Sequence, residues 1–496
     1  MRCQSEVMSF RERLGHLLPE SHRQLYVGGA WVPGSGGGRI DVIDPADGSV
    51  LTDVADGTLD DARAALDAAV AAQADWAATA PRERGEILRR AFALVTQHAD
   101  DLALVMSLEM GKPIAEAKGE VTYGAEFLRW FSEEAVRIHG RWMQNPAGGS
   151  RLLTVRKPVG PCLFITPWNF PLAMGTRKIG PAIAAGCTMV VKPAAQTPLT
   201  MLYLAALLAE AGLPAGVLNV VTTSDSGGLS STLQADARLR KVSFTGSTVV
   251  GKKIVEQSAG QLQRVSMELG GNAPFLVFAD ADLDAAVEGA MVAKMRNMGE
   301  ACTSANRFLV EESVAADFAE RLAQRMGALR VGRGQDVGVQ VGPLIDEKAV
   351  ASVSATVADA VERGARVLTG GEAPSGDGYF FPPTVLVDVP ADADAVTKET
   401  FGPVAPITTF TSEDQAIALA NATEYGLAAY AYTRDLARTI RLAERLETGM
   451  LGINTGLVSN PAAPFGGVKA SGFGREGGFE GIEEYLDTTY VALPVS

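Results

Sequence analysis

Residues 159–193 read VGPCLFITPWNFPLAMGTRKIGPAIAAGCTMVVKP. Gly160–Thr166 (GPCLFIT) is an apolar run of strand length, and Pro167-Trp168-Asn169-Phe170-Pro171 after it is a turn bracketed by prolines. The spacing then predicts a helix over Leu172–Ala185, stopped by Gly186, and a second apolar strand, CTMVVKP. Strand, helix and strand, with both strands apolar throughout, mark a βαβ unit, because parallel strands need a long crossover and their sheet is covered on both faces.

Working outward, the alternation continues. A helix is expected at 199–211, then strand VLNVV, a helix near 227–234, strand KVSFTG and a helix from Ser247. A second α/β region starts near Asn272 with strand APFLVF, helix 281–297, strand RFLV and helix 314–328. It continues through a helix near 348–363, strands ARVLTG and APITTF, and helices 413–421 and 435–446. Before the first unit, residues 26–55 read as short strands and turns. A helix follows from Thr58 to Pro81, with Thr58 and Asp61 as a capping box, and another from about Arg82 to Met110. Two stretches fit neither region: Arg151–Arg156 (RLLTVR) and Thr488–Val495 (TTYVALPV) read as strands that pair away from the main sheets. The fold class is therefore α/β, with two parallel-sheet domains and a small β extension.

Composition narrows the chemistry. The chain has 496 residues, a net charge of −14 and four histidines (His16, His22, His98, His139), with none after His139. There is no HExxH and no GxSxG, so a histidine-based hydrolase or metalloprotease is not expected. Cys3, Cys162, Cys187 and Cys302 are scattered with no CxxC pair, which predicts no metal site, no disulfide framework and a reducing, cytoplasmic setting. The acidic balance argues against nucleic acid or an anionic membrane as partner. The charged start, MRCQSEVMSFRERLGHLL, lacks a signal-peptide core, and no apolar run is long enough to span a bilayer.

Three strand ends carry candidate ligand groups: Thr166-Pro167-Trp168-Asn169, Lys192-Pro193-Ala194 and Phe244-Thr245-Gly246-Ser247. Ligands of open parallel sheets sit at such ends, near helix N-termini that attract phosphate, so together they suggest a dinucleotide site. Taken singly each is ordinary: a surface lysine, or an N-cap serine. Glu268 stands between apolar residues before Gly270-Gly271, and Cys302 lies in a Gly-containing loop after a helix. A lone buried cysteine is commonly inert. Without histidine it becomes a nucleophile if nearby N–H groups or a cofactor's positive charge lower its pKa, while a desolvated glutamate serves as a general base.

Seven motifs stand in order along the chain: PWNFP, KPA, FTGS, MELGGNAP, GEACTSANR, KETFGP and PFGGVKASGFGRE. With them the chain, from about Tyr26 to its end, resembles the aldehyde dehydrogenase superfamily. The resemblance implies that Cys302 attacks the aldehyde carbonyl and that Asn169 and the Cys302 N–H hold the oxyanion. Glu268 then activates water against the thioester. It further implies that Thr166, Pro167, Trp168, Lys192, Ala195, Thr245, Gly246, Ser247, Glu399 and Phe401 form the cofactor site. In it, Lys192 meets the adenosine ribose, Ser247 and its helix the pyrophosphate, Glu399 the nicotinamide ribose, and Phe401 the ring. Residues 1–140 and 159–268 would be the cofactor-binding domain and 269–477 the catalytic domain. Residues 141–158 and 478–496 would join subunits into a homodimer or homotetramer.

Within the superfamily, WNFPLAMGTRKIGPAIAAGCT, KMRNMGEACTSANRF and NTGLVSNPAAPFGGVKASGFGRE resemble the succinate-semialdehyde dehydrogenases. That resemblance implies a substrate carboxylate held by Arg177, Arg296 and Ser459, two guanidiniums being suited to a carboxylate by forked hydrogen bonds. On spacing alone either arginine is as readily a structural ion-pair residue. Glutarate semialdehyde or another ω-oxo acid would use the same clamp, one methylene being worth only ~1–3 kcal/mol. A non-catalytic protein on this fold would be expected to lack the nucleophile or the base, and both are present. Two positions depart from the family pattern: Ser304 stands where some members carry a second cysteine, and Glu300 where glutamine is commoner. The cofactor preference turns on Ala195, three residues after Lys192. A carboxylate there would repel a 2′-phosphate, so its absence favours NADP, with NAD as the alternative.

Overall fold

The structure is a computed structural model and describes residues 9–495. Cys3 and the first residues of the leader reading lie outside the described residues.

Five parallel strands form the centre of an eight-stranded sheet. In spatial order they are Arg264–Glu268, Lys241–Thr245, Cys162–Ile165, Met189–Lys192 and Leu218–Val220. Antiparallel edges close it, Gly472–Phe473 beside Glu268 on one side and Leu25–Val27 with Ala30–Val32 on the other. The opening βαβ unit is as expected: every residue of Cys162–Ile165, of helix Ala173–Ala185 and of Met189–Lys192 is buried. The helix is buried on all sides because neighbouring layers cover it, its Arg177 and Lys178 included.

A second sheet has seven strands, in the order Arg366–Thr369, Thr384–Val387, Val404–Phe410, Ala305–Glu311, Ala273–Val277, Ala428–Tyr432 and Met450–Ile453. The stretches RLLTVR and TTYVALPV do pair with each other. Ser150–Pro158 runs antiparallel to Leu486–Pro494, with Trp142–Gln144 on its other side, as a separate three-stranded sheet.

The expected helix from Arg82 to Met110 is two helices, Pro81–Gln97 and Ala99–Met110, broken at His98. No Gly or Pro marks the break. His98 leaves helical geometry where its ring meets Asp101 and the Tyr203 hydroxyl, a tertiary contact invisible to local pattern. The helix Ile114–Glu134, not anticipated at all, packs against helices Pro81–Gln97 and Ala173–Ala185. Among the described residues, no helix is long and apolar enough to cross a membrane.

Candidate active site

The carboxyl ends of the first sheet's strands face the loop that carries Cys302. That loop is built on strain: Asn297, Met298 and Gly299 have φ of 54°, 54° and 78°. Asparagine and glycine tolerate left-handed backbone, whereas methionine there is costly and persists only when surroundings hold it. Asn297 supplies that hold. Its N–H donates to Glu116 (2.9 Å), and its amide donates to the carbonyls of Asn169 (3.0 Å) and Glu300 (2.9 Å). The turn reverses the chain between helix Leu283–Met295 and strand Ala305–Glu311 and leaves Cys302 half-buried at a cavity.

The cavity, about 210 Å³, is lined by Cys302, Glu268, Asn169, Pro167, Trp168, Thr245, Gly246, Ser247, Glu399 and Phe401, together with Met174, Leu269 and Gly270. Ten residues singled out in the sequence thus meet in one place. Asn169 is fixed by three bonds besides the one its carbonyl accepts from Asn297. Its Nδ2 donates to the Glu300 carbonyl (3.1 Å), its Oδ1 accepts from the Phe170 N–H (3.1 Å), and its own carbonyl accepts from the buried Lys112 ammonium (2.8 Å). One amide proton of Asn169 remains for a ligand in the cavity it lines.

Electrostatics follow from burial. Desolvation pushes the Cys302 thiol up to about 12, reinforced by Glu268 and Glu399 and opposed by Arg177 and Arg296, so the thiol is protonated at neutral pH. Burial, and then the charge of Glu476, raise Glu268 well above the carboxylate range. Its Oε2 is buried without a partner, the condition of a carboxyl ready to exchange a proton with water. Glu399 rises to about 7 by burial, although its Oε1 accepts the Gly271 N–H at 2.8 Å.

The residues expected to hold a cofactor are spaced as a dinucleotide would require. A Cβ at Gly270 would lie 2.7 Å from the Glu399 carboxylate, and one at Gly271 would lie 2.2 Å from the Cys302 carbonyl, so backbone and reactive groups approach as only glycine allows. Ser247 caps helix Thr248–Ala259 by accepting the Val250 N–H at 3.5 Å, leaving the N–H groups of Thr248 and Val249 at the helix end for phosphate. Lys192 and Thr166 adjoin at neighbouring strand ends (Thr166 N–H to Lys192 carbonyl, 3.1 Å), beyond the cavity, with Ala195 half-buried in the loop that follows. The Lys192 ammonium donates to Ser226 (2.8 Å) and is lowered to about 8 by burial. Ser226 was missed from sequence, although the Asp225 N-cap at a strand end was a usable signal.

A second hollow, about 450 Å³, is lined by Phe170, the residue after Asn169, together with Arg296, Ser459, Tyr123, Glu116 and Leu457. Arg296 Nη1 donates to Ser459 Oγ at 3.3 Å. Arg177 is not among its lining residues. Its guanidinium is stacked on Phe465 (3.8 Å) and contacts Glu476 (2.5 Å), which also pairs with Lys178. Arg177 Nη2 makes the ion pair with Glu476, while its buried Nε has no hydrogen-bond partner. Glu300 is buried, with Oε1 accepting the Ile345 N–H (3.1 Å), and Ser304 is buried behind the nucleophile.

A model of the aldehyde dehydrogenase family matches residues 31–491. The chain belongs to the aldehyde dehydrogenase family. Among its relatives in that family, a succinate-semialdehyde dehydrogenase of Paenarthrobacter nicotinovorans is 63% identical over 444 residues, covering 90% of this chain and 99% of the relative. A glutarate-semialdehyde dehydrogenase of Pseudomonas aeruginosa is 51% identical over 471 residues, 95% of this chain and 97% of the relative. The crystal structure of an NADP-dependent enzyme of Escherichia coli superposes with a TM-score of 0.94 at 53% identity, covering 96% of this chain and 99% of that one. The two α/β sheets and the separate small sheet are thus the aldehyde dehydrogenase fold.

Proposed function

We propose that this aldehyde dehydrogenase oxidises succinate semialdehyde, a short ω-oxo acid, to succinate with NADP as hydride acceptor. The observation that carries the reading is the Arg296–Ser459 pair in a hollow walled by Phe170, the residue after Asn169, with the Arg296 charge felt at the Cys302 thiol. A guanidinium and a hydroxyl at that place are a reason to prefer an aldehyde whose far end is a carboxylate. Arg177, paired with Glu476 outside that hollow, contributes the second cation through its charge at the thiol. The name of the 63% identical relative supports the same substrate.

Cys302 gives up its proton to Glu268, which passes it to water, and Sγ bonds the carbonyl carbon. The Asn169 amide and the Cys302 N–H stabilise the oxyanion, each such donor being worth about 3 kcal/mol in the transition state. A bound oxidised nicotinamide supplies a hydride acceptor and a positive charge near the thiol. Once the hydride has left the carbon, Cys302 carries a thioester. Glu268 takes a proton from water, the hydroxide attacks the acyl carbon, the C–S bond breaks, and the carboxylate leaves.

For the cofactor, Ala195 leaves a 2′-phosphate unopposed beside Lys192, and the structurally similar E. coli enzyme is described as NADP-dependent. We place the cofactor on residues 1–140 and 159–268 and the nucleophile on 269–477. The segments 141–158 and 478–496 join subunits of a cytoplasmic dimer or tetramer. The exposed Trp142 (63%) and Tyr490 (61%) on the three-stranded sheet support that role. Glutarate semialdehyde is the second reading, favoured by the 51% identical relative. Steady-state rates over C3–C6 aldehydes with and without a terminal carboxylate, each with NAD and NADP, test the assignment. Equal rates on charged and uncharged aldehydes would overturn it.

A further inference from the structure

The second hollow holds one polar group with no role so far. Tyr123, on helix Ile114–Glu134, lines it beside Arg296 and Ser459. Its hydroxyl is buried and has no aligned hydrogen-bond partner, although Ser459 lies next to it. The ring cannot easily swing away. Phe127 packs edge-on at 5.0 Å and the Arg296 guanidinium lies over the ring at 5.4 Å. A pinned, buried hydroxyl without a partner is unfavourable unless a ligand supplies an acceptor. The arginines carry only donors, and the Ser459 oxygen, which accepts from Arg296 at 3.3 Å, stands beside the phenol without an aligned bond to it. Glu116, the carboxyl in the same hollow, is raised by burial above the ordinary carboxylate value, opposed by the Asn297 N–H bond to its Oε2 and by Lys112 and Arg296. Burial raises the Tyr123 phenol further above its ordinary value, so it remains a donor at working pH.

We propose that Tyr123 is a specificity-determining residue whose hydroxyl donates to the distal carboxylate of the substrate, beside Arg296 and Ser459. The inference rests on the carboxylate-clamp reading above. It adds a neutral donor that discriminates by direction as well as charge: a carboxylate must sit where one oxygen faces Arg296 and the other the phenol.

Tyr123→Phe removes one oxygen and leaves the ring packing. The expected result is a KM for succinate semialdehyde raised about tenfold, as for losing a hydrogen bond to a charged group, with kcat and the KM for butanal within about twofold of the parent. Competitive inhibition by butyrate, read as a Ki, is expected to weaken by a similar factor. The melting temperature is a check that the variant folds. Unchanged KM and Ki, or equal losses on both aldehydes, would overturn the role of Tyr123. Arg296→Ala and the unmodified enzyme separate the two layers. If both the parent preference for the charged aldehyde and its loss in Arg296→Ala are seen while Tyr123→Phe is silent, only this inference fails. If the parent shows no such preference, the clamp itself fails and this inference with it.

Discussion

Arg177 and Glu476 are in contact at 2.5 Å with side chains 1% and 4% exposed, and Glu476 also neutralises the fully buried Lys178. One carboxylate thus balances two buried cations beneath the catalytic cavity. Pairing with Arg177 and Lys178 overcomes burial and holds Glu476 below its ordinary value.

The asymmetry of that triad predicts different outcomes for its two ends. Glu476→Gln leaves two cations unpaired in a site closed to water and is expected to cost about 3–5 kcal/mol, read as a large drop in thermal denaturation temperature. Arg177→Ala leaves Glu476 paired with Lys178 and should fold. Its KM for succinate semialdehyde should rise at least about tenfold, the scale of one charge-assisted hydrogen bond, and more than that for butanal. Equal loss on both aldehydes would reduce Arg177 to a structural ion-pair residue.

The thiol offers a test that needs no substrate. With Cys302 raised to about 12 by burial, the reactive thiolate is a small fraction at neutral pH and grows with every step upward. The rate of iodoacetamide labelling of the Cys302 peptide in the cofactor-free enzyme should therefore climb about tenfold per pH unit between pH 7 and 10. A plateau below pH 9 in mass-spectrometric time courses would mean that the thiolate is stabilised far more than the packing implies.

Cofactor preference turns on the absence of charge beside Lys192. Ala195→Glu places a carboxylate in the half-buried loop after that lysine, where it would repel a 2′-phosphate. The kcat/KM with NADP should fall about 10–100-fold while that with NAD changes little, since like charges brought together cost several kcal/mol. A parallel fall with both cofactors in initial-rate assays would point to a damaged loop instead.

How much of this was legible beforehand differs by kind of residue. Cys162–Ile165 and Met189–Lys192 could be read as strands because buried parallel strands are apolar throughout. Glu268, Cys302 and Glu399 could be singled out because glycines and neighbouring motifs surround them. What failed was whatever depends on a distant partner. At the break His98 meets Tyr203 and Asp101, and the Lys192–Ser226 bond joins a strand end to the start of helix Ser226–Gln234. Glu476 closes the last of the quoted motifs, yet nothing in its local pattern says that it faces Arg177 and Lys178. The unpartnered Tyr123 hydroxyl is equally silent in one dimension, since tyrosine in an amphipathic helix reads as packing.

Asn169 tests the oxyanion assignment most directly. Its side chain is held by the Glu300 carbonyl and the Phe170 N–H, and its backbone by Lys112 and Asn297, so Asn169→Ala removes the amide while the loop keeps its main-chain anchors. A donor that acts on charge developing only in the transition state should lower kcat by about 10²–10³ and leave KM nearly unchanged. The Cys302 N–H then remains as the sole oxyanion donor, which is why activity should persist rather than vanish. If stopped-flow measurements show an unchanged rate of the first hydride transfer, the oxyanion is held elsewhere and Asn169 serves only to tie strand Cys162–Ile165 to the nucleophile loop.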